Sequence, residues 1–287
     1  MTISLLDTHQ HLIYPDRFGY DWAAGIDVLA GKAFTIEDYE TLTEGLGVAA
    51  TLFMEVDVDG DQRFAESDFI AELSRDPANR LIGQIAAIRP ERDEGFDAEL
   101  ERADALGIVG FRRVLHVVDD AMSQSDTFRD NIRKIGAANK VYDICVAARQ
   151  LPIALDLARA CDNTTLVIDH CGVPDIAGGA LDPWRGDMAN LAALPHVNCK
   201  LSGILAYTAP GSGSYETVRP WVDHVLEVFG PDRIVWGSDW PVVDMGADLP
   251  TWIAVTRRIL GGLSDSEATA IANASAQRIY GVSLPAA

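Results

Sequence analysis

Two histidines separated by one residue, His9 and His11, follow a short apolar run near the N-terminus. In an extended strand alternate side chains point to the same face, so the two imidazoles should project together. Two imidazoles on one face can form half of a divalent-metal site or a pair of hydrogen-bond donors for a substrate carbonyl. They can equally be two polar residues whose hydrogen bonds are made within the protein where a loop begins. The spacing alone leaves these alternatives open.

Further ionisable side chains lie at or near the ends of other apolar runs. An apolar strand has no structural use for such a group unless the group finds a partner, so several of them at one rim indicate a site. Coincidence is the alternative, because loops are polar in most proteins. The candidates are Arg112, Arg113, His116, His170, Lys200 and Asp239.

Asp239 is the strongest candidate for a general base or a metal-bound carboxylate. The alternative for Asp239 is a turn or capping residue before Trp240 and Pro241. Arg112 and Arg113 lie in one apolar strand, so we expect at least one of them to point inward. A guanidinium in that position would hold a substrate carboxylate with two hydrogen bonds. The sequence does not decide which of the two arginines faces the site.

Eight apolar runs must position these side chains. The runs are nearly continuous rather than alternating, which is typical of strands buried on both faces of a parallel sheet. We therefore expect strands at 3–8, 49–56, 81–88, 109–115, 141–146, 165–168, 197–201 and 234–236.

Helical patterns lie between the runs and after the last one. Thr35 is a plausible N-cap, with the acidic Asp38 three residues later. Ser264 and Glu267 form a capping-box pattern, and Gly281 supplies a stop signal. The predicted helices are 35–46, 63–75, 96–106, 127–138, 151–160, 185–194, 215–229, 248–260 and 265–280.

Strands that alternate with helices predict an α/β fold, a (β/α)₈ TIM barrel with a C-terminal helical extension, as one domain over 1–287. The alternative is a doubly wound open sheet, but the sequence contains neither its glycine-rich dinucleotide motif nor a phosphate-binding loop. In a TIM barrel the C-terminal ends of the strands converge on the active site, so the ionisable side chains should meet at one rim. The loops 177–186 and 207–214 are candidates for covering a substrate.

The composition restricts the partners. The chain has 23 Lys and Arg against 43 Asp and Glu, a net charge of −20, which repels nucleic-acid phosphates and anionic lipid surfaces. We expect a cytoplasmic protein that acts on a small molecule, because no apolar run is long enough to cross a membrane and the N-terminus has no leader pattern. The oligomeric state is open, with a homo-oligomer as one option.

Five strand-end motifs together resemble the amidohydrolase superfamily and, within it, the lactonase branch. That branch includes sugar-acid lactonases (fuconolactonase-like and rhamnonolactonase-like) and 2-pyrone-4,6-dicarboxylate lactonase. The resemblance extends from residue 7 to residue 241 and implies a TIM barrel that hydrolyses a lactone ring. The motifs are DTHQH at 7–11, GFRRVLH at 110–116, VIDHCG at 167–172, NCKLSG at 198–203 and WGSDWP at 236–241.

The resemblance assigns roles to several residues. His9 and His11 match the first-strand pair, His170 matches the sixth-strand histidine, and Asp239 matches the aspartate taken to activate water. Arg112 matches an arginine expected to contact a substrate carboxylate or hydroxyl. The further substrate-binding candidates near it are Arg113, His116 and Lys200.

The sequence departs from superfamily members that hold two metal ions. The fourth strand has no bridging lysine or glutamate, and the fifth, at 141–146, has no histidine. These differences argue against a binuclear centre. The resemblance therefore implies one zinc-like divalent ion, held by His9, His11 and Asp239, or a mechanism without metal.

Two other functions are alternatives to lactone hydrolysis. A related branch of the superfamily decarboxylates aromatic or enoic acids with similar ligands, and release of CO₂ would distinguish it. A barrel that only binds a sugar acid or a partner protein would need no carboxylate beside a histidine cluster. Hydrolysis of a cyclic ester is the function that the sequence favours.

Overall fold

The structure is a computed structural model that describes residues 3–285. Eight parallel strands form one sheet in which each strand pairs with the next along the chain. They are β1 Leu5–Gln10, β2 Val48–Met54, β3 Leu81–Ala87, β4 Ile108–Val114, β5 Val141–Cys145, β6 Leu166–Ile168, β7 Val197–Ser202 and β8 Ile234–Gly237.

Backbone hydrogen bonds join the first strand to the last at the carboxyl-end rim. The Asp239 N–H donates to the His9 carbonyl at 2.8 Å, and the His11 N–H donates to the Trp240 carbonyl at 2.8 Å. The Thr8 hydroxyl adds a bond to the Trp236 carbonyl at 2.7 Å. The sheet therefore curves into a nearly closed barrel, and the predicted TIM barrel is confirmed.

Helices follow the strands as the patterns predict, and those at 151–160 and 215–229 have the predicted bounds. The N-caps at Thr35 and Ser264 both form capping boxes, with Asp38 and Glu267 respectively. The helices are α1 Ile36–Thr43, α2 Arg63–Leu73, α3 Phe96–Glu101, α4 Asp126–Ala137, α5 Leu151–Ala160, α6 Trp184–Ala192, α7 Tyr215–Phe229, α8 Leu249–Leu260, α9 Asp265–Thr269 and α10 Ser275–Tyr280.

Two predicted helices are interrupted. The pattern at 96–106 divides into α3 and a 3₁₀ turn at Asp104–Leu106, which ends on Gly107 in the left-handed region. The pattern at 265–280 contains a π-helical turn, Ala270–Ala274, between α9 and α10. Apolar periodicity predicts a buried face in each case but does not distinguish a regular α-helix from these variants.

The strand side chains are buried on both sides, as their apolar runs predict. One large core packs strands against helices, and a second cluster joins Leu6, Ile85, Val167 and Val235 of the strands to Tyr280 of α10. The C-terminal extension thus packs directly on the barrel. Among the helices in residues 3–285, none is both long and apolar enough to cross a membrane.

Candidate active site

The end of β1 brings His9 and His11 to the rim. His9 lies within the strand, which continues two residues beyond its predicted end, and His11 follows immediately after it. Both side chains are buried, with ring centroids 4.8 Å apart in an edge-to-face arrangement. Asp7 fixes this strand end, because it accepts the His9 N–H at 2.9 Å, the Ser238 N–H at 2.8 Å and the Tyr39 hydroxyl at 2.6 Å.

Asp239 lies beyond β8, among three imidazoles. Its Oδ1 is 3.6 Å from His9 Nε2 and 3.4 Å from His11 Nε2, and its Oδ2 is 3.6 Å from His170 Nδ1. The Asp239 backbone adopts the left-handed region, with φ at +58°. Within the described part of the chain, Oδ2 is buried and accepts no hydrogen bond. A buried carboxylate oxygen without a partner is costly, so its presence here indicates a functional site.

His170 follows β6 and also has a left-handed backbone, with φ at +53°. Its Nδ1 lies 2.9 Å from the Ser202 hydroxyl of β7. Burial lowers the pKa of His170, and it lowers the pKa of His9 well below the ordinary value despite the nearby charge of Asp169. Both rings are therefore neutral near pH 7, the form that coordinates metal ions or exchanges protons with a substrate.

Arg112 is the arginine that points into the barrel. Its Nε donates to Glu55 Oε1 at 2.7 Å and its Nη2 donates to the Glu55 carbonyl at 2.7 Å. Its Nη1 lies 3.2 Å from His9 Nε2 and 3.4 Å from Asp169 Oδ2. Most of its donors are thus engaged by the protein, and the guanidinium ties β2, β4 and β6 together under the site.

Arg113 projects from the other face of β4. Its Nε is 3.3 Å from Glu91 Oε1 and its Nη1 is 3.7 Å from Asp57 Oδ1. The alternation of side chains along the strand explains why the two arginines separate.

Lys200 does not occupy the position that its predicted substrate contact requires. The side chain is fully buried within β7, where it forms an ion pair with Asp143 and lies 3.2 Å from Asp169 Oδ1. Asp169 in turn lies 3.5 Å from His9 Nδ1. Because two carboxylates take up its charge below the site, Lys200 supports the histidines from beneath and does not reach the cavity.

A cavity of about 240 Å³ opens above these groups. His116 is 3.5 Å from Cys145 Sγ at its wall, and burial lowers the pKa of His116 to about 4. His9 lies behind the lining residues, which are His11, Trp22, Ile26, Val56, Asp57, Arg112, Val114, His116, Val117, Cys145, His170, Tyr207, Asp239 and Val242.

Three of these groups fit one divalent ion. Donor atoms of His9, His170 and Asp239 all lie within 4.8 Å of one another, and Asp239 Oδ2 has no protein donor among residues 3–285. Two imidazoles and one carboxylate form a donor set that zinc accepts, with a position left for water. The group contains His170 where the sequence predicts His11. His11 remains beside the same carboxylate, with Nδ1 3.0 Å from the Met54 carbonyl and Nε2 3.4 Å from Asp239 Oδ1.

Glu55 and Asp169 were missed as contributors to the site. Glu55 follows β2 and Asp169 follows β6, so the same strand-end argument that selected Asp239 applies to both. Tyr207, in the 207–214 segment, lines the cavity, in keeping with a segment near the substrate.

Comparisons with known proteins agree with this architecture. The chain is 31% identical over 305 residues to L-fucono-1,5-lactonase of Burkholderia multivorans, covering 98% of this chain and 97% of that protein. It is 29% identical to 4-sulfomuconolactone hydrolase of Rhizobium radiobacter, over 82% of this chain and 75% of the relative. A zinc-bound amidohydrolase crystal structure from Burkholderia multivorans has a TM-score of 0.88 at 28% identity, over 98% of this chain and 100% of that one. The amidohydrolase family profile matches residues 6–282, and the chain belongs to that family.

Proposed function

We propose that this protein is a lactonase that opens the ring of a sugar-acid or dicarboxylate lactone by hydrolysis. The observation that carries the proposal is Asp239 Oδ2, which accepts no hydrogen bond from residues 3–285. Its carboxylate is buried among three imidazoles beside a cavity large enough for a small cyclic ester. Relatives named for lactone hydrolysis cover most of the chain and support the same reaction class.

Asp239 acts as the general base in this mechanism. A water molecule beside Oδ2 attacks the ring carbonyl while the carboxylate takes its proton, a contribution of about 10²–10⁴-fold in rate. The tetrahedral intermediate then collapses, the ring C–O bond breaks, and the proton held by Asp239 passes to the leaving oxygen, which becomes the hydroxyl of the product acid. His11 and His170 line the cavity and stabilise the negative charge that develops on the carbonyl oxygen. His9 lies behind them, with Nε2 3.6 Å from Asp239 Oδ1.

The metal ligands would be His9, His170 and Asp239, with His11 close to the same carboxylate. A bound zinc ion would supply a Lewis acid for the ring carbonyl and lower the pKa of bound water. The amidohydrolase structure from Burkholderia multivorans contains bound zinc, which supports zinc as the ion that this fold accepts. Metal analysis of the purified protein, with chelator treatment before the assay, distinguishes the one-metal mechanism from the metal-free one.

The general-base role is tested by Asp239→Asn in a pH-indicator assay against a panel of lactones. We expect kcat to fall by about 10²-fold or more, because the amide cannot accept the proton. The exposed Asp223→Asn is the matched control and should retain wild-type turnover, with both variants folded by circular dichroism. Full turnover by Asp239→Asn would refute the role, and CO₂ release from an aromatic acid without lactone turnover would favour the decarboxylase alternative.

We further propose that the chain is a single domain, works in the cytoplasm on a small molecule, and has no nucleic-acid or membrane partner. The net charge of −20 supports the exclusion of anionic polymers and lipid surfaces. One cooperative unfolding transition in calorimetry would support the single domain. Co-sedimentation with anionic vesicles would contradict the proposal about membranes.

A further inference from the structure

Asp57 stands at the wall between two cavities. It lines the catalytic cavity together with His11 and Asp239, and it also lines an outer basin of about 450 Å³. Trp22 and Val117 are shared between the two cavities as well. A substrate whose ring occupies the inner cavity can therefore extend a substituent past Asp57 into the outer basin.

The backbone at Asp57 is strained and firmly held. Its φ of +46° lies in the left-handed region, which is uncommon for a non-glycine residue. The Asp57 N–H donates to Glu55 Oε2 at 2.7 Å, and the Trp22 indole N–H donates to the Val56 carbonyl at 2.8 Å. Since Glu55 also binds Arg112, the segment that carries Asp57 is fixed from inside the barrel.

The Asp57 carboxylate keeps accepting capacity toward the cavities. Its Oδ1 lies 3.4 Å from Arg89 Nη2 and 3.7 Å from Arg113 Nη1, both longer than a strong charge-assisted hydrogen bond. The side chain is 27% exposed, so the carboxylate remains open to a ligand. An ionised carboxylate only accepts hydrogen bonds, so a hydroxyl group of a ligand can donate to it.

The same position disfavours an added negative charge. Burial raises the pKa of Asp57, and the charge of Glu55 raises it further, although Arg89 and Arg113 act in the opposite direction. The outer basin balances its cations Arg89, Arg92 and Arg113 against Asp57, Asp59 and Asp61. It therefore has no excess of positive charge to offer a carboxylate or a sulfonate.

We propose that Asp57 determines substrate specificity by selecting lactones with a hydroxyl-bearing, uncharged substituent and rejecting those with an anionic substituent at that position. The inference rests on the proposed lactonase activity and deepens it, since the known relatives include enzymes named for both a sugar lactone and a sulfonated lactone. The opposing possibility is that Arg89 and Arg113 bind an anionic substituent, while Asp57 only holds the two guanidinium groups in position.

The experiment compares aldonolactones with the aldarolactones of the same ring and configuration, in which a carboxylate replaces the terminal CH₂OH. Wild-type kcat/KM should favour the uncharged member by about 10-fold or more, because the hydroxyl gains a hydrogen bond to a charged group and the carboxylate meets repulsion. Asp57→Asn should reduce that ratio by about 10-fold, mostly through KM. Asp57→Ser removes the same charge and is the second test variant, used for the same comparison if the asparagine variant folds poorly.

Two controls separate specificity from general damage. Asp57→Glu retains the charge and should keep the wild-type preference, and Asp68→Asn removes an exposed carboxylate of α2 that lies outside both cavities. An unchanged ratio in both charge-removing variants, or a wild-type preference for the carboxylated lactone, would overturn the inference. Wild-type enzyme that hydrolyses no lactone would instead overturn the proposed function on which the inference rests.

Discussion

Lys200 is a positive charge held completely inside the barrel. It pairs with Asp143 and Asp169, Asp143 accepts the Tyr280 hydroxyl, and Asp169 approaches His9. Burial acts to raise the pKa of Asp169, but the charge of Lys200 holds that pKa well below its usual range. The ammonium therefore keeps a carboxylate ionised directly beneath the catalytic histidines.

Replacing Lys200 with methionine should destabilise the fold by about 3–5 kcal/mol, because two buried carboxylates lose their counter-charge. Burial already raises the pKa of Asp143 to about 7, against the effect of Lys200. Without the Lys200 ammonium, Asp143 and Asp169 stay protonated in the folded state at pH values at which the same two groups have already lost their protons in the unfolded chain. The loss of stability should therefore increase as the pH rises from 6 to 8, measured as the free energy of unfolding in urea.

Lys134→Met is the matched control for this change. Lys134 pairs with Asp97 at 2.9 Å on the surface, with both side chains substantially exposed, so the control should alter stability by less than about 1 kcal/mol. Equal effects of the two substitutions would contradict the buried role of Lys200.

For individual residues, the sequence predicts which side chains reach the rim of the barrel better than it predicts which side chains they pair with. His170 and Asp239 are identifiable because both follow apolar strands, and the structure brings them to within 3.6 Å. The same argument does not identify the burial of Lys200. Its partners Asp143 and Asp169 come from β5 and from the end of β6, so no local sequence pattern marks the pairing. Which of Arg112 and Arg113 points inward depends on the register of β4, which the apolar run leaves undefined.

Among the elements, the turn after β7 determines whether Asp239 fits. Gly203 has a φ of +55°, and a Cβ built there would lie only 2.1 Å from Asp239 Oδ2. Any side chain at this position must displace the carboxylate proposed as the general base. Glycine is therefore required both by the backbone conformation and by the close approach of the Asp239 side chain.

Gly203→Ala should reduce kcat for a good lactone substrate by about 10²-fold, since a shift of about 1 Å at a reacting group has this effect. Gly107→Ala is the control, because Gly107 also has a left-handed φ, +64°, but has open space around its Cβ position. The control should lose roughly 1 kcal/mol of stability and retain its turnover. If both variants kept wild-type kcat, Asp239 would not need its observed position.

The bounds of a strand can be predicted from the sequence where burial alone determines which residues are apolar. The strands of the barrel are buried on both faces, so their apolar runs locate them to within about two residues. The bounds of β1 were less accurate, because the strand continues through polar residues up to Gln10, which pairs with Phe53. Hydrogen bonds made in three dimensions, rather than local hydrophobicity, extend this strand.

For the molecule as a whole, the distribution of charge matters more than its sum. The net charge is −20, yet the cations close to the site, Arg112 and Lys200, are already paired with Glu55, Asp143 and Asp169. An anionic substrate therefore approaches through a repulsive field without a free cation in the described lining of the inner cavity to compensate. An uncharged lactone is not repelled by this field.

This field predicts that kcat/KM depends on salt for a charged substrate and not for an uncharged one. Raising NaCl from about 20 mM to about 200 mM shortens the screening length to below about 10 Å, so kcat/KM for a carboxylated lactone should rise several-fold. The value for the matching uncharged lactone should stay constant, and it serves as the internal control. Asp57→Asn should turn over the carboxylated lactone faster at every salt concentration and retain the rise, because the remaining surface charge still repels the substrate. A fall in turnover of the carboxylated lactone with added salt would instead reveal a local cation that attracts it, contrary to the pairing of Arg112 and Lys200 in the structure.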